Sequence, residues 1–141
     1  MARTILLVDD DSEVRTALRD FLTAERCMVH TARDGQQALQ ILDKIDLPDL
    51  ILLDYMMPGM NGVQFLAARA RDARLRAIPV VILSAWTRQW AKEPLGIVEV
   101  LAKPIALDRL VALVDRICGR SSVGTATPTQ TKGPPDQNGS P

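Results

Sequence analysis

Four short, nearly unbroken apolar runs punctuate the chain, at Ile5 to Val8, Leu50 to Leu53, Val80 to Leu83 and Ile97 to Leu101. Runs of this length without polar alternation suit strands covered on both faces. A weaker run, Met28 to Ala32, includes His30 and Thr31 and reads as an edge strand, and Glu99 marks the last run as only half-buried. Between the runs the apolar period becomes helical. Val14, Ala17, Leu18, Phe21 and Leu22 form one stripe, with Asp11 or Ser12 placed to cap it. Ala38, Ile41, Leu42 and Ile45 form a second; Val63, Leu66, Ala67 and Ala70, after Gly62, a third; and Leu107, Leu110, Val111, Val114 and Ile117 a last one. Between Thr87 and Gly96, Pro94 limits any helix to about two turns.

Strand and helix alternate throughout, which predicts an α/β fold: a doubly wound, five-stranded parallel sheet with right-handed crossovers and helices on both faces. The simplest strand order is 2-1-3-4-5, with a short or irregular helix between the fourth and fifth strands. After residue 118 the chain turns to Ser, Thr, Gly, Pro and Gln with almost no apolar side chain. Such a segment cannot bury enough surface to offset its ordering entropy. The expected organisation is a folded domain over 1–118 and a disordered tail over 119–141; a linker toward a further domain is the alternative.

Composition narrows the classes. Of 141 residues, 47% are apolar and 24% charged, which suits one globular domain. Lys and Arg balance Asp and Glu at zero net charge, so no overall positive field exists to neutralise a row of phosphates, and direct binding of nucleic acid is not expected. The N-terminal apolar run meets the acids Asp9 to Asp11 too soon for a signal peptide or a spanning helix, so a cytoplasmic protein with no membrane insertion is expected. Cys27 and Cys118 are the only cysteines and His30 the only histidine, which excludes a structural zinc site on ligand count and leaves two buried apolar thiols as the reading.

The chemistry gathers at strand ends. In an open parallel sheet, ligands bind at the carboxyl ends of the strands where the strand order reverses, here between the first and third strands. Asp9 and Asp10 follow Val8, Asp54 follows Leu53, Ser84 follows Leu83, and Lys103 follows the fifth strand. Crowded carboxylates raise one another's pKa unless a cation sits among them, so the cluster predicts a hard, oxygen-liganded metal such as Mg²⁺. Asp10 and Asp54 are expected as direct ligands, with Asp9 acting partly through water. A metal-bound carboxylate can attack phosphorus if the charge building on the phosphoryl oxygens is neutralised from several sides, and Lys103 and the Ser84 hydroxyl suit that task.

These residues carry a resemblance. The chain resembles the receiver domain of response regulators, the CheY-like superfamily of two-component signal transduction, over roughly residues 3 to 118. The likeness rests on four motifs in order: the pair Asp9 and Asp10, the run from Asp54 through Met57, Pro58 and Gly59 to Gly62, Ser84 with Ala85, and Lys103 with Pro104. It implies a flavodoxin-like fold, Asp54 as phosphoacceptor, Asp9 and Asp10 as holders of Mg²⁺, and the backbone carbonyl of Met56 as a further metal ligand. It also implies catalytic roles for Ser84 and Lys103 and a cis Lys103–Pro104 bond. The phosphoryl donor would be a phosphohistidine on a sensor histidine kinase or phosphotransfer protein, and the output would pass to a downstream protein target. Such a domain catalyses its own phosphorylation and dephosphorylation and is not an enzyme turning over a free metabolite. A single-domain response regulator is the expectation, with a receiver excised from a hybrid histidine kinase as the alternative.

The sequence also departs from the family. The position three before the lysine, usually aromatic, is Val100, and the stretch from Ser84 to Lys103 is short. A receiver-like adaptor whose output does not depend on phosphorylation is therefore a second reading, opposed by the intact Asp10 and Lys103. Trp86 and Trp90 fall in the short stretch, as packing or as a partner surface. Met56 and Trp86 would flank an attacking water and, both apolar, would slow hydrolysis of the aspartyl phosphate. Arg69, Arg71, Arg74 and Arg76 read as a solvated helix face. A haloacid-dehalogenase-type phosphatase needs a second Asp two residues after the nucleophile, where this chain has Met56; a dinucleotide-binding domain needs a glycine-rich first turn, where it has Asp9 to Ser12.

Overall fold

The computed structural model describes residues 3–55, 62–84 and 97–119. Their elements run β1 (Arg3–Val8), α1 (Ser12–Ala24), β2 (Cys27–Ala32), α2 (Gly35–Leu42), β3 (Leu50–Asp54), α3 (Gly62–Ala70), α4 (Ala73–Arg76), β4 (Val80–Ser84), β5 (Ile97–Ala102) and α5 (Leu107–Cys118). The strands form one parallel sheet in the order β2-β1-β3-β4-β5, so the arrangement expected from the alternating pattern is the one observed. The helix expected between Thr87 and Gly96, and the tail from residue 120 on, lie outside the described residues.

Successive strand residues point to opposite faces, and each face has its own core. Leu6, Val8, Ile51, Leu53, Val80 and Ile82 pack with Ala38, Leu42, Phe65, Leu66 and Leu75 from α2, α3 and α4. Ile5, Leu7, Leu50, Leu52, Val81 and Leu83 pack with Leu18, Leu22, Leu110, Leu113 and Val114 from α1 and α5. The three central strands are therefore apolar at every position between their polar ends, because both faces are covered. Edge strand β2 is only partly buried, and Met28 is exposed on it.

Helix starts obey local chemistry. The Asp11 side chain accepts hydrogen bonds from the backbone N–H groups of Glu13 and Val14, and Asp34 accepts one from Gln37, which gives α1 and α2 their N-caps. Helix α2 stops at Leu42, short of Ile45, which the apolar stripe had included.

Two expectations need correction. Arg69 is not on a solvated face: it is 1% exposed, and its guanidinium donates to the carbonyls of Arg76 and Ile78. A single helix through the arginines would have exposed it, but the chain breaks at Asp72, which caps the one-turn helix α4, and Arg69 bonds the carbonyls of the turn leading into β4. Of the two thiols, Cys27 is buried, whereas Cys118, at the last turn of α5, is only half-buried.

Candidate functional site

Parallel pairing of β1 with β3 sets Val8 beside Leu53, so the next residues, Asp9 and Asp54, emerge as neighbours at the carboxyl edge. On the far side of β3, Asp54 pairs with Leu83, and Ser84 ends β4 one residue later, buried to 3% exposure. β5 carries one extra residue between Ile97 and Glu99 relative to β4, and this bulge brings Ala102 beside Ser84. The Lys103 N–H then donates to the Ser84 carbonyl at 3.0 Å, which anchors the lysine at the edge. Its bond to Pro104 is cis.

The side chains converge. Lys103 Nζ lies 3.2 Å from Asp9 Oδ2 and 3.2 Å from Asp54 Oδ1. Asp9, Asp10 and Asp54 each offer a carboxylate oxygen, all within 4.8 Å of one another. Asp9 is completely buried and Asp54 nearly so, whereas Asp10 is exposed to solvent. Burial, then the Asp9 carboxylate, pushes the Asp54 carboxyl up to about 6, and Lys103 only partly offsets them. Burial works against the charge on Lys103, but Asp9 and Asp54 together outweigh it and hold the ammonium above its ordinary value.

Three ionised carboxylates against one ammonium leave a deficit of two positive charges, the charge of one divalent ion. With oxygen as the only donor, the set fits a hard cation rather than a thiophilic one.

Known proteins are similar to this chain. The family model for the response regulator receiver domain matches residues 5–115. The chain belongs to this family. The receiver is 40% identical over 120 residues to the transcriptional regulatory protein CpxR of Escherichia coli (strain K12), covering 83% of this chain and 50% of CpxR. It is 34% identical over 137 residues to the response regulator PleD of Caulobacter vibrioides, covering 88% of this chain and 30% of PleD. The chain thus spans half or less of the length of these relatives. The structure of the chemotaxis response regulator CheY4 of Vibrio cholerae superposes with a TM-score of 0.76 at 28% identity, covering 83% of this chain and 99% of that one.

Within the receiver, the structure brings Asp9, Asp10, Asp54 and Lys103 together and sets Ser84 at the end of the adjacent strand. Met56, whose carbonyl was expected to face the metal, lies outside the described residues, as do Met57, Trp86 and Trp90. Val100, at the position usually aromatic, is half-buried and packs against the face that carries α2, α3 and α4.

Two positioning features escaped the sequence reading. Arg15 Nη1 donates to the Asp9 carbonyl at 2.8 Å, a bond from one turn into α1 that periodicity does not reveal. Gly62 N–H donates to the Tyr55 carbonyl at 3.0 Å, and a Cβ on Gly62 would lie 3.0 Å from Tyr55 Cα, so glycine lets α3 start against the backbone that follows Asp54.

Proposed function

We propose that this receiver accepts a phosphoryl group from a phosphohistidine onto Asp54 in a Mg²⁺-dependent reaction and passes the signal on through protein–protein contacts. The observation that carries the reading is the shared ammonium: Lys103 Nζ sits 3.2 Å from both Asp9 and Asp54, beside a third acid, Asp10.

This reading gives each residue a role. Asp9, Asp10 and Asp54 would hold Mg²⁺, with the Met56 carbonyl as a further ligand; the ion supplies charge neutralisation for the phosphoryl oxygens. An Asp54 carboxylate oxygen attacks phosphorus, the P–N bond to the donor imidazole breaks, and the electron pair leaves with the ring nitrogen. Lys103 stabilises a second phosphoryl oxygen and Ser84 donates to the third, both from backbone tied together at the ends of β4 and β5. Water attacking phosphorus later returns Asp54 to the free carboxylate, so the domain resets itself without turning over a free metabolite.

A sensor histidine kinase or phosphotransfer protein is the donor in this reading, in the cytoplasm. No helix among the described residues is long and apolar enough to cross a membrane. In this reading the receiver unit spans residues 1–118, and 119–141 lie outside it. Val100 favours a second reading, an adaptor whose output is independent of phosphorylation, because valine cannot swing a ring between two positions.

Acetyl phosphate with Mg²⁺ separates the two. Intact-mass spectrometry is expected to show one added phosphoryl group on the wild type, none on Asp54→Asn, and none on the wild type with excess chelator. A wild type that stays unmodified under conditions that load another receiver would leave the adaptor reading in place.

A further inference from the structure

We propose that Arg15 is a positioning residue of the acidic site, holding the peptide that joins Asp9 to Asp10 so that the Asp10 carboxylate faces the shared cation position. The inference rests on the Mg²⁺ reading above and assigns a role to a side chain outside the acid, lysine and serine set.

Every other polar group of Asp9 is already anchored. Its N–H donates to the Ala32 carbonyl at 3.0 Å, Oδ1 accepts from Asp11 N–H at 2.9 Å, and Oδ2 faces Lys103 at 3.2 Å. The strand ends at Val8, so the ladder gives the Asp9 carbonyl no partner; the guanidinium of Arg15 takes that place at 2.8 Å. A peptide unit is planar, so fixing the direction of this carbonyl fixes the whole unit up to Asp10 Cα; with the following N–H, of Asp11, held by Asp9 Oδ1, the rotation that sets where the Asp10 side chain departs is limited from both sides. Asp10 is exposed, so packing does not aim it. Arg15 is half-buried, and α1, capped by Asp11 beside the site, holds its backbone. The planar fork of arginine suits such a clamp, because little freedom is lost when it bonds.

Charge alone predicts the opposite effect. A guanidinium within bonding distance of Asp9 repels a divalent cation, so removing it should tighten metal binding if its field dominates and weaken binding if its aim dominates. The sign of the change therefore decides.

Isothermal titration calorimetry of Mg²⁺ into the full chain, at fixed ionic strength, compares wild type, Arg15→Ala and Arg15→Lys, with a thermal melt of each in the absence of metal. Arg15→Ala is expected to bind Mg²⁺ about tenfold more weakly, the range seen when an outer partner of a metal site is removed. Arg15→Lys, which keeps a donor, is expected to recover to within about threefold of wild type. Equal or tighter binding by Arg15→Ala, with or without a lower melting temperature, overturns the proposal. If Arg15→Ala does not fold, Arg15→Met, which keeps an apolar stem and no donor, carries the same comparison. A wild type that binds no Mg²⁺ overturns the site reading itself, and the proposal with it; a wild type that binds beside an undiminished variant overturns the proposal alone.

Discussion

The two ends of the sheet both gather charge, and they use it differently. At the amino end, buried Arg3 forms an ion pair with Asp115 on α5 and donates to the Glu25 carbonyl at 3.1 Å. Nearby, Thr4 N–H donates to Asp49 Oδ2 at 2.9 Å and Asp49 N–H to the Thr4 carbonyl at 2.8 Å. Burial opposes the charge on Arg3, and the hydrogen bond with Asp115 together with the negative charges around it outweighs that opposition. One cation meets one anion, and the result ties β1 to α5 and to the end of α1. Burial also pushes the Cys118 thiol there up to about 11, which leaves it protonated and inert. At the carboxyl end, three acids gather where one ammonium pairs with two of them, Asp9 and Asp54, and Asp54 is pushed up to about 6. A balanced pair clamps a fold; an unbalanced cluster stores an electrostatic deficit that a ligand can relieve.

Breaking each end should therefore read out in a different experiment. The largest effect expected is at the lysine: Lys103→Ala lowers the rate of phosphorylation by acetyl phosphate about a hundredfold, as for loss of one preorganised donor to a developing oxyanion. Arg3→Ala leaves that rate within about twofold but lowers stability by about 2 kcal/mol in urea denaturation, because Asp115 and the Glu25 carbonyl lose their partner. A Lys103→Ala chain that phosphorylates normally, or an Arg3→Ala chain that melts normally, would erase the contrast.

Next in size is a pH effect confined to the carboxyl end. A carboxyl group raised above its unfolded value favours folding while protonated, and that contribution is lost as pH rises through the folded value. The metal-free wild type should thus lose stability between about pH 4 and about pH 6 from Asp54, on the order of 2 kcal/mol. Asp54→Asn, which cannot ionise, should remove this loss and be more stable than wild type at neutral pH without metal. Chemical denaturation across that range checks it; an Asp54→Asn curve parallel to wild type would show that the cluster stores no deficit.

The smallest effect is expected from the exposed pair of Arg116 Nη2 with Glu99 Oε1, 3.5 Å apart. Arg116→Ala should change stability by less than about 0.5 kcal/mol, because exposed ion pairs contribute little. A larger loss would mean that position on α5 matters more to a pair than burial does.

Much of this receiver was legible in its residues. Apolar runs located the three central strands because a strand covered on both faces tolerates no polar residue along its middle; the two edge strands showed as runs interrupted by His30, Thr31 and Glu99, and the acids, serine and lysine stood out because each ends or follows a run. Asp9, Asp10, Asp54, Ser84 and Lys103 could be named from their places alone, since a parallel sheet sends every strand end to the same edge. Arg69 and Arg15 could not. Periodicity shows which face of a helix a residue occupies, and a long cationic side chain reaches carbonyls several residues beyond that face.

The residues by themselves determined the order of the strands and of the four long helices, the apolar cores they supply and the identity of the polar groups at the strand ends, because burial of apolar surface acts through patterns local in the chain. Only the tertiary structure decided the electrostatic balance at each end. Asp54 is 5% exposed with Asp9 beside it, Lys103 is shared between two acids, and Arg3 has Asp115 as its own partner across the fold. Charge interactions depend on distance and desolvation, and both are set by chain segments far apart in sequence.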